Sequence, residues 1–322
     1  LTLGVVVFAG ALQIIFGLLK VASLANFFPL SAVHGMLAAI GIIIMSKQLH
    51  FALGINPAEL KHKEPLELLS MLPDSIMNMT PTIAAIGIVS LVILFGMPLL
   101  KNKIVKAIPA PLVVLVVSII MGLYLNLGDP SLSNHKPLVD PGTMSLGLQA
   151  NFSAISGSTT GIFIQYLILF TLIGSLESVL TVKAVDLLDP WKRKARLNKD
   201  LIAVGIGNIV TGLLGGLPMI SEVARSSANV NNGGRTQWAN FFHSISLLIF
   251  VVLLVPVIKM VPIAALAAML IYVGYRLASP KTFMHAYKVG LEQLIVFIAT
   301  IVTTLATDLL IGIAVGIVLE LV

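Results

Sequence analysis

Cysteine is absent from the 322 residues, and charged side chains make up only 11% of them. The first absence excludes disulfides, thiolate metal sites and cysteine nucleophiles. The second excludes an ordinary water-soluble domain, in which about 25% of residues are charged. The six histidines show no HxxxH or HExxH spacing, so zinc hydrolysis lacks its ligand set. Nucleophile elbow, P-loop and dinucleotide fingerprint are missing too, which leaves the enzyme and ATP-driven pump classes without their parts and predicts no cofactor. What the chain has is hydrophobicity. Apolar residues make up 57% and the mean hydropathy is +1.03, in repeated runs of about 20 residues, the length of a membrane-crossing helix. The fold class is all-α integral membrane, with many spans.

Apolar windows predict helices near 1–19, 30–47, 82–100, 110–127, 160–182, 201–217, 221–232, 238–258, 261–277, 291–307 and 309–322. When alternate loops are assigned to opposite sides, fourteen Lys and Arg residues fall on one side and five on the other, with Arg225 left over. The richer side is cytoplasmic by the positive-inside rule, giving a multi-pass protein of the cell inner (plasma) membrane with the lipid bilayer as its partner. The net charge of +6 is absorbed by this asymmetry, so no nucleic acid is expected. The run Trp191-Lys192-Arg193-Lys194-Ala195-Arg196 reads as a cytoplasmic topology signal. The polar stretches 50–80 and 128–158 become exterior loops. Leu1 falls inside a hydrophobic run with no start methionine or signal peptide, and the sequence reads as a fragment.

Residues 28–42 (FPLSAVHGMLAAIGI) align without gaps on 261–275 (VPIAALAAMLIYVGY), with Pro29, Ala32, Met36, Leu37 and Gly41 matching Pro262, Ala265, Met269, Leu270 and Gly274. The two copies enter the membrane from opposite sides in the topology above, the trace an inverted repeat leaves. Subtracting the same offset from the helix near 160 places the start of the first repeat roughly 70 to 75 residues, or about three spans, before Leu1.

The most informative stretch is Gly212-Leu213-Leu214-Gly215-Gly216-Leu217-Pro218-Met219-Ile220-Ser221-Glu222-Val223-Ala224-Arg225-Ser226-Ser227. Gly215, Gly216 and Pro218 break one helix, and a short one can begin near Ser221 and end at Gly233-Gly234. A helix broken at membrane depth lines a cavity or is buried in protein. The first amides of the new helix lack intrahelical acceptors and carry the positive end of its dipole. With Arg225 one turn in, Ser221, Glu222, Val223, Ala224, Arg225 and Ser226 form a candidate anion site.

Glu177, with Ser178 and Thr181 near it in the helix 160–182, is a carboxylate at membrane depth suited to coupling with H⁺ or Na⁺. It is also the obvious counter-charge for Arg225 in a static ion pair. Glu222 reads either as a dipole partner of a first helical turn or, facing the cavity, as a repeller of anions unless protonated. Gly205, Gly207, Asn208 and Gly212 read as a close-packing face, His34 as a hydrogen-bonded packing residue, and Asp308 as a cap of the last helix.

At these residues the sequence resembles the sulfate permease (SulP) anion transporters, the bacterial relatives of solute carrier family 26. The resemblance rests on Phe28-Pro29 through Lys47-Gln48-Leu49, Gly205-Ile206-Gly207-Asn208, Arg225-Ser226-Ser227 with Gly233-Gly234-Arg235-Thr236-Gln237, and the ending Asp308-Leu309-Leu310-Ile311-Gly312-Ile313-Ala314-Val315-Gly316-Ile317. It implies a fourteen-span, inverted-repeat (UraA-like) fold of two seven-span halves, with spans 4 to 14 present. Residues 1–26 would be core-domain span 4, 27–127 gate-domain spans 5–7 and 128–158 an exterior loop. Residues 159–260 would be core spans 8–11, with half-helix 10 near 221–232, and 261–322 gate spans 12–14. The cytoplasmic STAS domain usual in the family is not in this chain.

By the same resemblance an anion sits at the head of half-helix 10, Arg225 matches the family's anion-site arginine, Ala224 a position often held by serine, and Glu177 the coupling carboxylate. Glu222 departs from the pattern. The implied function is a secondary active transporter of a small inorganic oxyanion, sulfate or bicarbonate, coupled to H⁺ or Na⁺, working as a homodimer by an elevator movement. A dicarboxylate or nucleobase carrier of the same architecture, and an uncoupled anion channel or exchanger, remain as alternatives.

Overall fold

The computed structural model describes residues 2–22, 30–56, 60, 63–100, 108–128, 137–140, 160–222, 225–226, 229–230, 233–307 and 309–321. Its helices in chain order are α1 (Thr2–Leu18), α2 (Leu30–Ala52), α3 (Pro65–Ser70), α4 (Leu72–Met77), α5 (Pro81–Gly96), α6 (Ala110–Tyr124) and α7 (Thr160–Leu188). Then come α8 (Leu197–Leu214), α9 (Trp238–Leu253), α10 (Val255–Ile258), α11 (Ile263–Leu277), α12 (Pro280–Val289), α13 (Leu291–Ala306) and α14 (Leu309–Leu321). Among the described residues there is no strand, only a bridge between Leu138 and Pro262. Five helical stretches among the described residues are long and apolar enough to cross a membrane, and five further apolar helices among them are shorter.

The chain divides into two compact units, residues 1–28 with 143–249 and residues 29–142 with 250–322. In the first, α1 packs on α7 and α8. A Cβ on Gly10 would stand 2.6 Å from the Gly205 carbonyl oxygen, and one on Gly205 would stand 2.6 Å from that of Gly10. Only glycine at both positions lets the two backbones approach so closely, and in lipid, where packing rather than water drives helix association, such contacts hold helices together.

The second unit shows the repeat in its packing. The aligned helices α2 and α11 pack on each other, with α5 and α6 on α11, and α13 and α14 on α2. Each half thus lays its last two spans on the first span of the other. Gly41 and Gly274, aligned in the sequence repeat, face each other here. A Cβ on Gly41 would lie 2.5 Å from the Gly274 carbonyl oxygen, and one on Gly274 would lie 2.6 Å from that of Gly41. Ala264, Ala265 and Ala268 of α11 pack with Ile83, Ile86 and Val114 in the main core, and Phe297 of α13 is fully buried against Ala38 and Ala39 of α2.

Three helices were not among the expected spans. α3 and α4 interrupt the stretch 50–80; each is six residues with proline in its first turn, too short for an apolar window. His50, fully buried at the end of α2, ties both down. Its Nε2 donates to the Leu68 carbonyl at 2.9 Å, and its Nδ1 accepts from the Ser75 hydroxyl at 2.7 Å. α12 carries Lys281, His285 and Lys288 on an amphipathic ten-residue helix, a composition that hydropathy passes over. Asp308 lies outside the described residues.

Candidate functional site

The expected break follows α8. Gly215 ends the helix in the left-handed conformation, φ 87°, and the Gly216 amide returns to the Thr211 carbonyl at 2.7 Å. This glycine stop closes orphan carbonyls that a side-chain-bearing residue could close only with strain. The chain then runs non-helically through Glu222.

Asn208 holds this stretch. Its Oδ1 accepts from the Met219 amide at 2.7 Å, while its Nδ2 donates to the Met219 carbonyl at 3.1 Å and to Gln13 Oε1 at 2.8 Å. Asn208 and Gln13 are both buried. The side-chain amide thus pairs with a main-chain peptide as a neighbouring strand would, satisfying backbone groups that the broken helix leaves open. Sequence reasoning placed Asn208 only on a packing face. The available signal was a carboxamide in an apolar helix shortly before a glycine stop.

The Ser221 amide donates to Ser178 Oγ of α7 at 3.1 Å, and its hydroxyl points to Asp200 Oδ2 at 3.4 Å. These bonds keep Ser221 and Glu222 out of the helix, so the short helix begins later than Ser221. Helical conformation is seen at 225–226 and 229–230, and the Ser226 amide reaches the Glu222 carbonyl at 3.3 Å. Val223, Ala224 and Ser227 lie outside the described residues. The far end matches the expected stop. Gly233 has φ 88°, and the amides of Gly233 and Gly234 donate hydrogen bonds to the carbonyls of Val230 and Asn229, a Schellman closure.

Arg225 pairs with Glu222, Nε to Oε2 at 2.5 Å, and not with Glu177. The reason is local: an i,i+3 spacing brings the two side chains together without tertiary packing. Their side chains are 76% and 46% exposed, so the guanidinium is open to an incoming anion. Among the described residues Glu177 makes no ion pair, but it lies within electrostatic reach of Glu222. Ser178 is fully buried and Thr181 nearly so. Ser178 is engaged by the Ser221 amide, whereas Ser175 Oγ and Thr171 Oγ1, one and two turns before Ser178, are buried without a hydrogen bond among the described residues. A cavity of about 20 Å³ lined by Gln13, Gly174, Asn208 and Met219 adjoins the clamp, enough for one water.

The α7–α8 connection of the same unit is tied by charge. Arg193 grips Asp189 through Nε (2.8 Å) and Nη2 (3.0 Å), and donates from Nη1 to the Arg235 carbonyl at 3.0 Å. Both Arg193 and Arg235 lie over Trp191, at 4.9 and 5.8 Å. The basic run is therefore partly built into structure. Hydrogen bonding from Arg193 holds the Asp189 carboxyl down to about 2. Because the folded value is depressed, this stabilisation is complete above the ordinary carboxylate range and is lost as pH falls through about 4 towards 2. In a Trp238→Phe background, Trp191 emission is expected to stay constant from about pH 8 to 5 and to shift only below about pH 4. A shift between pH 7 and 5 would contradict this assignment.

The profile described as the sulfate permease family matches residues 1–300. YvdB of Bacillus subtilis, a candidate sulfate transporter by its description, is 24% identical over 98% of this chain and 57% of its own length. The bicarbonate transporter BicA of a Picosynechococcus strain is 26% identical over 97% of this chain and 53% of its own. The chain thus spans little more than half the length of these curated relatives. The transmembrane domain of a cyanobacterial BicA superposes with a TM-score of 0.78 at 23% identity, covering 98% of this chain and 75% of that one. The murine Slc26a9 anion transporter, in the inward-facing state, gives 0.79 at 16% identity over 99% of this chain and 51% of its own. These likenesses show the fold, the UraA-like transporter architecture.

Proposed function

The chain belongs to the sulfate permease family, and on that premise we propose that it is the transmembrane part of a secondary active transporter for a small inorganic oxyanion, sulfate or bicarbonate. The observation that carries this reading is Arg225, exposed at the head of a segment set after a broken helix and held by Asn208 and Ser178. An oxyanion would bind the guanidinium through charge-assisted hydrogen bonds.

Glu222 occupies Arg225 in the meantime. An ion pair this exposed is worth about 0.2–1 kcal/mol, so an anion can displace it. Glu177, within reach of Glu222, is the coupling carboxylate in this reading, with the oxygens of Ser178 and Thr181 beside it for H⁺ or Na⁺. The first unit would be the core and the second the gate of an elevator, in a homodimer in the plasma membrane.

The test is Glu177→Gln in proteoliposomes. Uptake driven by a pH or Na⁺ gradient is expected to fall to the level of passive exchange, with anion binding retained within about threefold. Gradient-driven accumulation at the wild-type rate would remove Glu177 from the coupling step.

A further inference from the structure

The second unit carries a cationic cavity of about 470 Å³ that the transport reading does not use. His34 of α2, Arg276 in the last turn of α11, and Lys281, Thr282 and His285 of α12 line it. Leu37 and Leu277 supply its apolar wall. No Asp or Glu is among the lining residues, and neither Arg276 nor Lys281 joins an ion pair among the described residues. Basic side chains gathered in this way without a counter-charge repel one another and raise the local concentration of anions.

The chemistry of the lining is selective. Arg276 offers a planar fork that matches two oxygens of a tetrahedral anion, Lys281 a point charge, and Thr282 a hydroxyl. Thr282 lies 3.1 Å from the Ser279 hydroxyl, in the first turn of α12, where the helix dipole adds positive potential. The place is as telling. The positive-inside pattern puts Arg276, Lys281 and Lys288 on the cytoplasmic side. Met284, Tyr287 and Val289 of α12 are exposed beside them, the composition of a helix lying in the headgroup layer.

We propose that this cavity binds a phosphate group at the cytoplasmic face, carried either by an anionic phospholipid or by a soluble phosphate ion. Basic pockets between spans on this side of the membrane are suited to phosphorylated headgroups.

The test places the full-length protein in phosphatidylcholine nanodiscs. Binding is followed by native mass spectrometry and by thermal midpoint, against added phosphatidylglycerol in one arm and inorganic phosphate in the other. Saturable binding is expected in at least one arm: the lipid arm alone identifies a headgroup site, and the phosphate arm alone a soluble ligand. Arg276→Gln with Lys281→Gln is expected to weaken it roughly tenfold or more, and Lys288→Gln, on the same helix but outside the cavity, less than about twofold. Should the double variant not fold, Lys281→Gln alone is expected to lose about threefold. Absence of saturable binding in both arms, unchanged binding in the cavity variants, or an equal loss in Lys288→Gln overturns the proposal.

Discussion

Arg225→Gln is expected to lower oxyanion uptake roughly 10- to 100-fold, the equivalent of about 1.5–3 kcal/mol of charge-assisted hydrogen bonding. The protein should still fold, because the side chain is 76% exposed and its partner Glu222 sits three residues away on the same segment. Breaking so exposed a pair costs at most about 1 kcal/mol. The substitution also leaves Glu222 without its cation, so repulsion of the substrate adds to the loss. Arg225→Lys should recover part of the rate, since charge returns without the two-pronged geometry. Initial uptake rates, read beside a thermal melt of each variant, check this. A folded Arg225→Gln protein transporting at the wild-type rate would take Arg225 out of the anion site.

The second large effect concerns the helix crossing at the centre of the second unit. Gly41→Val and Gly274→Val are each expected to destabilise the protein by about 3 kcal/mol, through overpacking that neither backbone can relieve alone. The two costs should be nearly equal, because each new Cβ would meet the other residue's carbonyl oxygen, at 2.5 and 2.6 Å. Gly96→Ala is the control: a Cβ there meets nothing within 4 Å, and its effect should stay within about 0.5 kcal/mol. Unfolding midpoints in detergent measure all three. A large cost at Gly41 with none at Gly274 would contradict the reciprocal contact.

These two sites also mark what could be read in the sequence and what could not. Gly41 and Gly274 emerged from a gapless alignment of 28–42 on 261–275, and their meeting in space follows from the symmetry that such a repeat encodes. Gly215 and Gly233 were legible as helix stops because a left-handed residue has a local signature. Arg225 stood out for the same kind of reason, a charge in an apolar setting.

Its partner did not, because Glu177 looked attractive through space while Glu222 was nearer along the chain. Asn208 was harder still. Its role depends on Gln13, far away in sequence, and on the main chain of Met219, and neither contact has a periodic trace. The helices α3, α4 and α12 escaped for a different reason: hydropathy windows detect lipid-facing length, and these elements are short or amphipathic.

The central claim is transport of a small oxyanion by gradient coupling. The most direct measurement is uptake of labelled sulfate into proteoliposomes of the full-length protein, with bicarbonate as competitor, under an imposed pH or Na⁺ gradient. Concentrative uptake driven by one of the gradients, and lost in Arg225→Gln, is the predicted result. Absence of sulfate uptake together with absence of bicarbonate competition, in protein that is folded and inserted, would contradict it.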